Sequence, residues 1–512
     1  MEHGDERADE REQFFAQPRP DLLGERLDLG LPAGAHEVDL SDSDLRDDPD
    51  RRYAASKYDE FESEQWRSYL KWIAEPSDAL RIESALYYNS FERTWDKLGA
   101  VKLPGSSITT VAEAMLAPNG IALLQGFSPG SISTADAYRD HEAYGWQNQV
   151  NYRFQTGSLE HDLAVGLRLH YDQQNGDTTS HTYASTGNGS FDFVGDSTPV
   201  PIVAQEVFAT ALFVEDQIAI GKLTLRPGIR YEWLELEATT SGVGSDSLDE
   251  YLIMGGLGAN YEFNTCNSLF GGVYRGSSPA NPSGYLKGTE NEESLGAELG
   301  FRHRQESFRA ELVGFYTNFD QLIAPEIPGG AGSTPSENGG SADVWGIESL
   351  VEYDAGKAQN WTLGLPVYAS ATFTNAEFSG MDSVLSTAAA TFAGGRNGNE
   401  IPYIPEWKFA TGIGLTGEKW AVRFDASYTS TSWGTGFNGD ARPAGTNASA
   451  MDGKIDSLLI FDLTGHYQLT DQIKLVGGIQ NLFDERAIVS RAPLGARSNA
   501  PQMMFAGFEA TF

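Results

Sequence analysis

Side chains able to do chemistry are sparse in this chain, and they are scattered. The eight histidines form no HExxH or HxH pair, so no imidazole set has metal-ligand spacing and no metal site is expected. His170 and His466 each fall on the polar side of an alternating run, where a solvated wall residue is the expected role. Cys266 is the one cysteine, which excludes an intramolecular disulfide and a cysteine zinc cluster. No GxSxG occurs, and no histidine spacing commends a nucleophile–base pair, so enzymatic activity is not expected. What remains is charge in an unusual setting. In TLRPGIRYEWLELE, Thr224–Glu237, the residues Leu225, Ile229, Tyr231 and Trp233 form one set of a period-two pattern. Arg226, Arg230 and Glu232 lie in the other.

A strand with apolar residues on one side and arginines on the other needs two different solvents. Lipid outside and a polar lumen inside a closed β-barrel meets that need, because closure leaves every backbone group paired. HDLAVGLRLHY repeats the pattern, with Leu163, Val165, Leu167, Leu169 and Tyr171 against Asp162, Arg168 and His170. Alternating runs of this kind recur 17 times, among them 79–97, 140–155, 159–172, 222–238 and 500–512, with no convincing helix between them. The gaps alternate too. Turns of a few residues, such as TGSLE and IGK, alternate with long Gly/Ser/Asn/Pro-rich connections such as 98–139, 173–202 and 239–249. Short at one end and long at the other is the pattern of periplasmic turns and extracellular loops. The expected fold is all-β, a transmembrane antiparallel β-barrel meander of about 17 strands.

Composition agrees. No stretch approaches the roughly 20 apolar residues of a membrane helix, and a barrel hides its apolar residues in alternation. Acidic residues number 72 against 36 Lys and Arg, for a net charge of −36, which argues against a nucleic-acid partner. The first 50 residues hold 16 acids and 5 bases; a solvated, self-repelling loop is the plain reading of that segment. The start, MEHGDERADEREQFFAQ, has neither the basic nor the apolar region of a signal peptide. The last run, with Met504, Ala506, Phe508, Ala510 and Phe512 on one side, reads as a terminal barrel strand. If it runs down to the periplasm, counting back 17 strands makes the first run down as well. An odd number of strands is then expected before it, together with a missing N-terminal portion.

Several stretches resemble the TonB-dependent receptors, the large outer-membrane barrels for iron chelates. They are ATALFVEDQIAIGKLTLRPGIRYEW, NEESLGAELGFRHRQESFRAELVGFYTNFDQLI and GGIQNLFDERAIVSR, while DDPDRRYAASKYDEFESEQW is similar to the ferric dicitrate receptor branch. The resemblance implies 22 strands, a plug inside the barrel, and location in the bacterial cell outer membrane. Five strands, the plug, the TonB box and the signal peptide are then expected to be missing. Residues 1–55 are expected to be an extracellular loop region and residues 56–512 the barrel. The implied function is energy-coupled uptake of an iron(III) chelate, of carboxylate type such as ferric citrate, by a monomer. The chelate is cargo and no cofactor is held covalently. The implied partners are outer-membrane lipid and, through the missing plug region, the TonB–ExbB–ExbD energy complex. Arginine forks suit carboxylates, and the loop candidates are Arg51, Arg52 and Arg275, expected at the extracellular rim and turned towards the barrel axis, with Arg396 and Arg442 from later loops. The alternative is a passive porin or diffusion channel, since 17 strands lies close to the porin range.

Overall fold

The structure, a computed structural model, describes residues 40–323, 338–380, 391–440, 450–492 and 495–511. Seventeen long strands form the wall among the described residues. In chain order they are β1 (Glu60–Ser77), β2 (Leu80–Lys102), β3 (Ser131–Thr156), β4 (Leu159–Ser185), β7 (Ala204–Ile220), β8 (Leu223–Thr240), β9 (Gly244–Asn264), β10 (Asn267–Ser278), β11 (Glu292–Arg304), β12 (Phe308–Asp320), β13 (Ala342–Asp354), β14 (Pro366–Phe378), β15 (Trp407–Thr416), β16 (Trp420–Thr429), β19 (Leu458–Gln468), β20 (Ile473–Gln480) and β23 (Met503–Ala510). Each pairs antiparallel with its neighbours along the chain, so the sheet is one meander. Two short strands, β5 (Phe191–Asp196) and β6 (Val200–Pro201), add to the far end of β4. Two small ladders lie in the long loops: β17 (Ser432–Trp433) with β18 (Lys454–Ile455), and β21 (Ile488–Ser490) with β22 (Arg497–Ser498).

Local chemistry sets the hairpins. The β3–β4 and β7–β8 connections are the two-residue turns Gly157–Ser158 and Gly221–Lys222, and both glycines adopt positive φ, +65° and +62°. A turn of that hand matches the twist of the strands it joins, and glycine takes it without steric cost. The opposite ends carry the long loops, as the alternation of gaps predicts. Two loop features differ from the sequence reading. Short helices do occur between strands: α2 (Val111–Met115) and α3 (Pro118–Leu124) follow β2, and Thr110 with Glu113 closes a capping box on α2. The stretch 173–202 is also largely strand, since β4 runs to Ser185, and 98–139 is strand at both its ends, since β2 runs to Lys102 and β3 begins at Ser131.

Facing follows parity. Val165, Ile229, Tyr231 and Phe508 are exposed, Phe508 to 73%. Register links them across the wall: Val165 lies opposite Val150 and Val214, and Val214 opposite Ile229. The other parity carries a polar network, with Arg168 Nε donating to Tyr87 Oη at 3.0 Å and His170 Nδ1 2.7 Å from the same oxygen. Arg226 donates to Gln217 at 2.7 Å and Arg230 pairs with Glu232. Exposed apolar and internally paired polar sets are the reverse of a water-soluble sandwich, and they fit a wall between lipid and lumen.

Among the described residues β1 pairs only with β2 and β23 only with β20, so the wall has two free edges. Laid flat, 16 strand spacings would separate those edges by about 75 Å. Residues 40–58 nevertheless contact both ends. Leu40, Leu45, Tyr53 and Ala55 share one apolar cluster with Leu98 and Val101 of β2 and with Ile488 and Ala496 between β20 and β23. The wall therefore curls round, and a strap comprising α1 (Asp42–Asp47) and a 3-10 turn, Ala54–Tyr58, spans the seam at the loop end. Ion pairs fasten it: Arg491 to Asp42 at 2.7 Å, Arg486 to Asp50 at 3.1 Å and Arg46 to Asp456 at 3.3 Å.

Candidate functional site

The lumenal parity of β2, β3, β4 and β7 continues above the row Tyr88, Tyr144, Tyr171, whose rings mark the upper membrane interface. Successive lumenal rows are Asn89–Ala143–Asp172–Val207, then Phe91–His141–Gln174–Gln205, then Arg93–Arg139–Gly176. The β10–β11 loop covers the lower two. Its helix α4 (Pro282–Tyr285) is capped by Asn281, and Tyr285 packs on Leu234, Leu236 and Leu252 of the same lumenal face. Ser283 N donates to Gln205 Oε1 at 3.4 Å. Between loop and wall lies a cavity of about 460 Å³ lined by Asn89, His141, Asp172, Gln174, Gln205 and Asn281 among others.

The cavity lining also holds the carboxylates Glu142 and Asp172, and two arginines stand one lumenal row above it. Arg139 is 3% exposed and spends its guanidinium on carbonyls, Nη1 donating to Tyr138 O at 2.7 Å and Asp177 O at 2.9 Å. Gly176 makes this approach possible, for a Cβ there would stand 2.2 Å from Tyr138 O. Arg93 lies directly opposite Arg139, with its guanidinium 5.9 Å from the Trp95 ring centre. Neither forms an ion pair with a carboxylate among the described residues. Burial pulls the pKa of Arg93 down, and burial together with the Arg93 charge does the same to Arg139. Both remain cations, since a guanidinium stays protonated in proteins. Burial, then the Arg93 and Arg139 charges, lower the His141 imidazole against the pull of Asp140 and Asp172. His141 is therefore neutral at pH 7 and offers one donor and one acceptor. A buried and a partly buried guanidinium, neither in an ion pair among the described residues, thus stand one lumenal row above a cavity whose lining joins Asn, Gln and neutral His to the carboxylates of Glu142 and Asp172.

The loop arginines expected from sequence do not converge there. Arg51 Nη1 is 2.5 Å from Asp44 Oδ1, and Arg52 Nη1 donates to the Arg51 carbonyl at 2.6 Å, so both serve the strap. Arg275 shares the parity of exposed Leu269 and Val273, on the lipid-facing side, and pairs with Glu293 at 2.6 Å. The expected inward turn of Arg275 is thus corrected: height on a strand does not decide facing, and parity does. Arg396 is exposed in the loop after β14, and Arg442 lies outside the described residues. Arg139 escaped the sequence reading because the alternation that marks β3 is followed only from residue 140; Arg93 and His141 lie inside the runs 79–97 and 140–155, where one polar position among others carries no mark of its own role. NSFERTWDK, with Asn89, Phe91, Arg93 and Trp95 on one parity, already held the facing. Among the described residues no set of three His, Cys, Asp or Glu side chains could hold a metal ion, and no helix is long and apolar enough to cross a membrane.

Residues 6–482 match the family described as TonB dependent receptor-like, beta-barrel. The chain belongs to that family. It is an outer-membrane β-barrel of the TonB-dependent class, as its two-solvent wall requires. The ferrienterobactin receptor of Escherichia coli (strain K12) is 22% identical over 342 residues, which are 60% of this chain and 41% of that receptor. The structure is similar to that of the ferric citrate transporter FecA in the unliganded form, with a TM-score of 0.70 and 18% identity, over 92% of this chain and 65% of that one. It is also similar to the siderophore receptor PiuA from Acinetobacter baumannii, with a TM-score of 0.67 and 16% identity, over 89% and 65% of the two chains. This TonB-dependent barrel chain therefore spans less than two thirds of these relatives' length.

Proposed function

We propose that this chain forms the wall of an energy-coupled outer-membrane receptor for an iron(III) chelate of the carboxylate type, such as ferric citrate. In this reading residues 1–55 are an extracellular loop region, residues 56–512 the barrel, and the protein is a monomer. Segments beyond this chain would contact the TonB–ExbB–ExbD complex. One observation carries the reading: Arg93 and Arg139 lie opposite each other, at least partly buried and in no ion pair among the described residues, one lumenal row above the cavity. An anion brought to them gains charge-assisted bonds that water already satisfies poorly there. The neutral amides Asn89, Gln174 and Gln205 and the His141 ring suit the hydroxyl and carbonyl oxygens of a hydroxycarboxylate. No step of bond making is assigned to the chain, and iron is cargo.

The test uses the full-length receptor in cells stripped of their own iron receptors. Arg93→Gln and Arg139→Gln should each weaken ferric citrate binding by about ten- to a hundredfold, the equivalent of one charged hydrogen bond of roughly 1.5–3 kcal/mol. A protonophore should abolish uptake and leave binding intact. Unchanged binding in both variants removes the carboxylate reading, and uptake that survives the protonophore favours passive diffusion.

A further inference from the structure

Beyond the membrane interface the outward parity of the wall becomes polar, and there it builds a cluster that uptake does not use. A strand crosses the bilayer in about 9–11 residues, whereas β4 runs for 27. His181 lies 10 residues above Tyr171, clear of the lipid. Register places it opposite Thr134 on β3 and Asp196 on β5. His181 Nδ1 is 2.6 Å from Asp196 Oδ1, and its Nε2 is 3.9 Å from Asp136 Oδ2 on β3. Asp136 stands directly opposite Asp96 of β2. The Oδ1 atoms of Asp96 and Asp136 are buried and have no hydrogen-bond partner. Two like charges directly opposite on adjacent strands repel one another. Among the described residues the charged groups facing His181 from β2, β3 and β5 are these three carboxylates, with Tyr183 on its own strand.

We propose that His181 is a proton-operated latch, whose imidazolium fastens the β4–β5 hairpin of the extracellular loop to β2 and β3. With its proton, one cation sits among Asp196, Asp136 and Asp96. Without it, three acidic groups share the site with no cation among them; burial raises the Asp96 carboxyl, and only its hydrogen bonds, one from the Lys97 backbone, still favour its charge, so β5 parts from β4. The Asp196 hydrogen bond, opposed by burial and helped by the charges of Asp96, Asp196 and Asp136, raises the imidazole above its ordinary value, which is about 6.5. A raised folded-state pKa adds stability that is fully present below the unfolded value and lost as pH rises through the folded one. The latch is therefore closed in mildly acid medium and opens towards alkaline pH. Opening is felt at the seam, because Phe191 of β5 lies in the strap's apolar cluster and its carbonyl accepts from Tyr58 Oη at 3.0 Å.

The experiment is hydrogen exchange, corrected for intrinsic rate, across residues 186–203 of the full-length receptor in detergent, between about pH 5 and 8. Protection should fall as pH rises, by up to about tenfold for each unit that separates the folded and unfolded His181 pKa values. His181→Gln should give a low, pH-independent protection, while Asp196→Asn should move the fall to lower pH. Protection in the unmodified protein that is flat across this range overturns the latch, whatever the variants do. So does a His181→Gln profile like the parent's. Protection at pH 8 restored by a divalent cation and removed by a chelator also overturns it, making the cluster a metal site.

Discussion

Replacing Arg491 by Ala should release the strap from the seam. Arg491 is 5% exposed and holds Asp42 with both arms, Nη1 at 2.8 Å and Nη2 at 2.7 Å, while its Nε donates to Lys454 O at 2.8 Å. A charge-assisted bond is worth roughly 1.5–3 kcal/mol, but the Asp42 side chain is 51% exposed, so water takes up much of what it loses. About 2 kcal/mol is the reasoned loss, equivalent to roughly thirtyfold in the opening equilibrium of residues 40–58. Acid should act on the same bond. Burial alone would raise the Asp42 carboxyl, yet the Arg491 hydrogen bonds and charge, aided by Arg46, bring it below its ordinary value. A depressed carboxylate stabilises above its unfolded pKa, about 3.9, and that stability is lost as pH falls through the folded value. The strap should loosen below about pH 4 in the parent, and Arg491→Ala should remove most of that acid step. Hydrogen exchange across residues 40–58 reads both effects. Unchanged protection in Arg491→Ala would show that the apolar cluster around Leu45 and Ile488 holds the strap without the ion pair, and the reasoning would fail.

Other expectations follow from facing and close contact. Ile347→Arg, on the lipid side of β13, should cost about 2–4 kcal/mol if it lies near the bilayer midplane, read as a lowered urea midpoint of the refolded barrel. Gly176→Ala places a Cβ 2.2 Å from Tyr138 O, so it should displace Arg139 and weaken ferric citrate binding at least as much as Arg139→Gln. Arg275→Ala should leave that binding unchanged, because its guanidinium pairs with Glu293 on the outward side; a tenfold loss there would contradict the facing.

The wall was legible because two solvents write opposite residue types on alternate positions. All 17 alternating runs correspond to wall strands, and most ends agree within about three residues. The extremes were legible for the same reason: Ile229, Tyr231 and Val165 outward, Arg168, Arg226 and His170 inward. Loop packing was not legible. That α4 folds over the lumen depends on Tyr285 meeting Leu234, Leu236 and Leu252, residues 33 to 51 positions away. No local pattern encodes such a contact. The loop arginines illustrate the same limit, since Arg51 reads as a free charge until α1 brings Asp44 beside it, and Arg52 until the chain turns it onto the Arg51 carbonyl.

The site escaped notice for a sharper physical reason. Alternation between apolar and polar residues is a signal from the bilayer, not from the strand. On β4 the outward positions Val165, Leu167, Leu169 and Tyr171 face lipid, and the next ones in the same register are Gln173, Asn175, Asp177, Thr179 and His181. The ladder to β3 continues without a shift through all of them. Only the solvent has changed, from hydrocarbon to water, and the outward face loses its apolar mark where the bilayer ends. A reading keyed to alternation therefore ends β4 at residue 172 and begins β3 at residue 140, which leaves His181 and Arg139 in loop even though Arg93 and His141 lie inside the alternating runs. The proposed anion contacts and the proposed latch both lie above the interface, on strands that remain paired. That is where Arg93, Arg139 and His141 sit on the lumenal parity and where His181 and its carboxylates sit on the outward one. Extending the ladder past the last aromatic row, with parity kept and apolarity no longer required, is the step that recovers both clusters from the sequence.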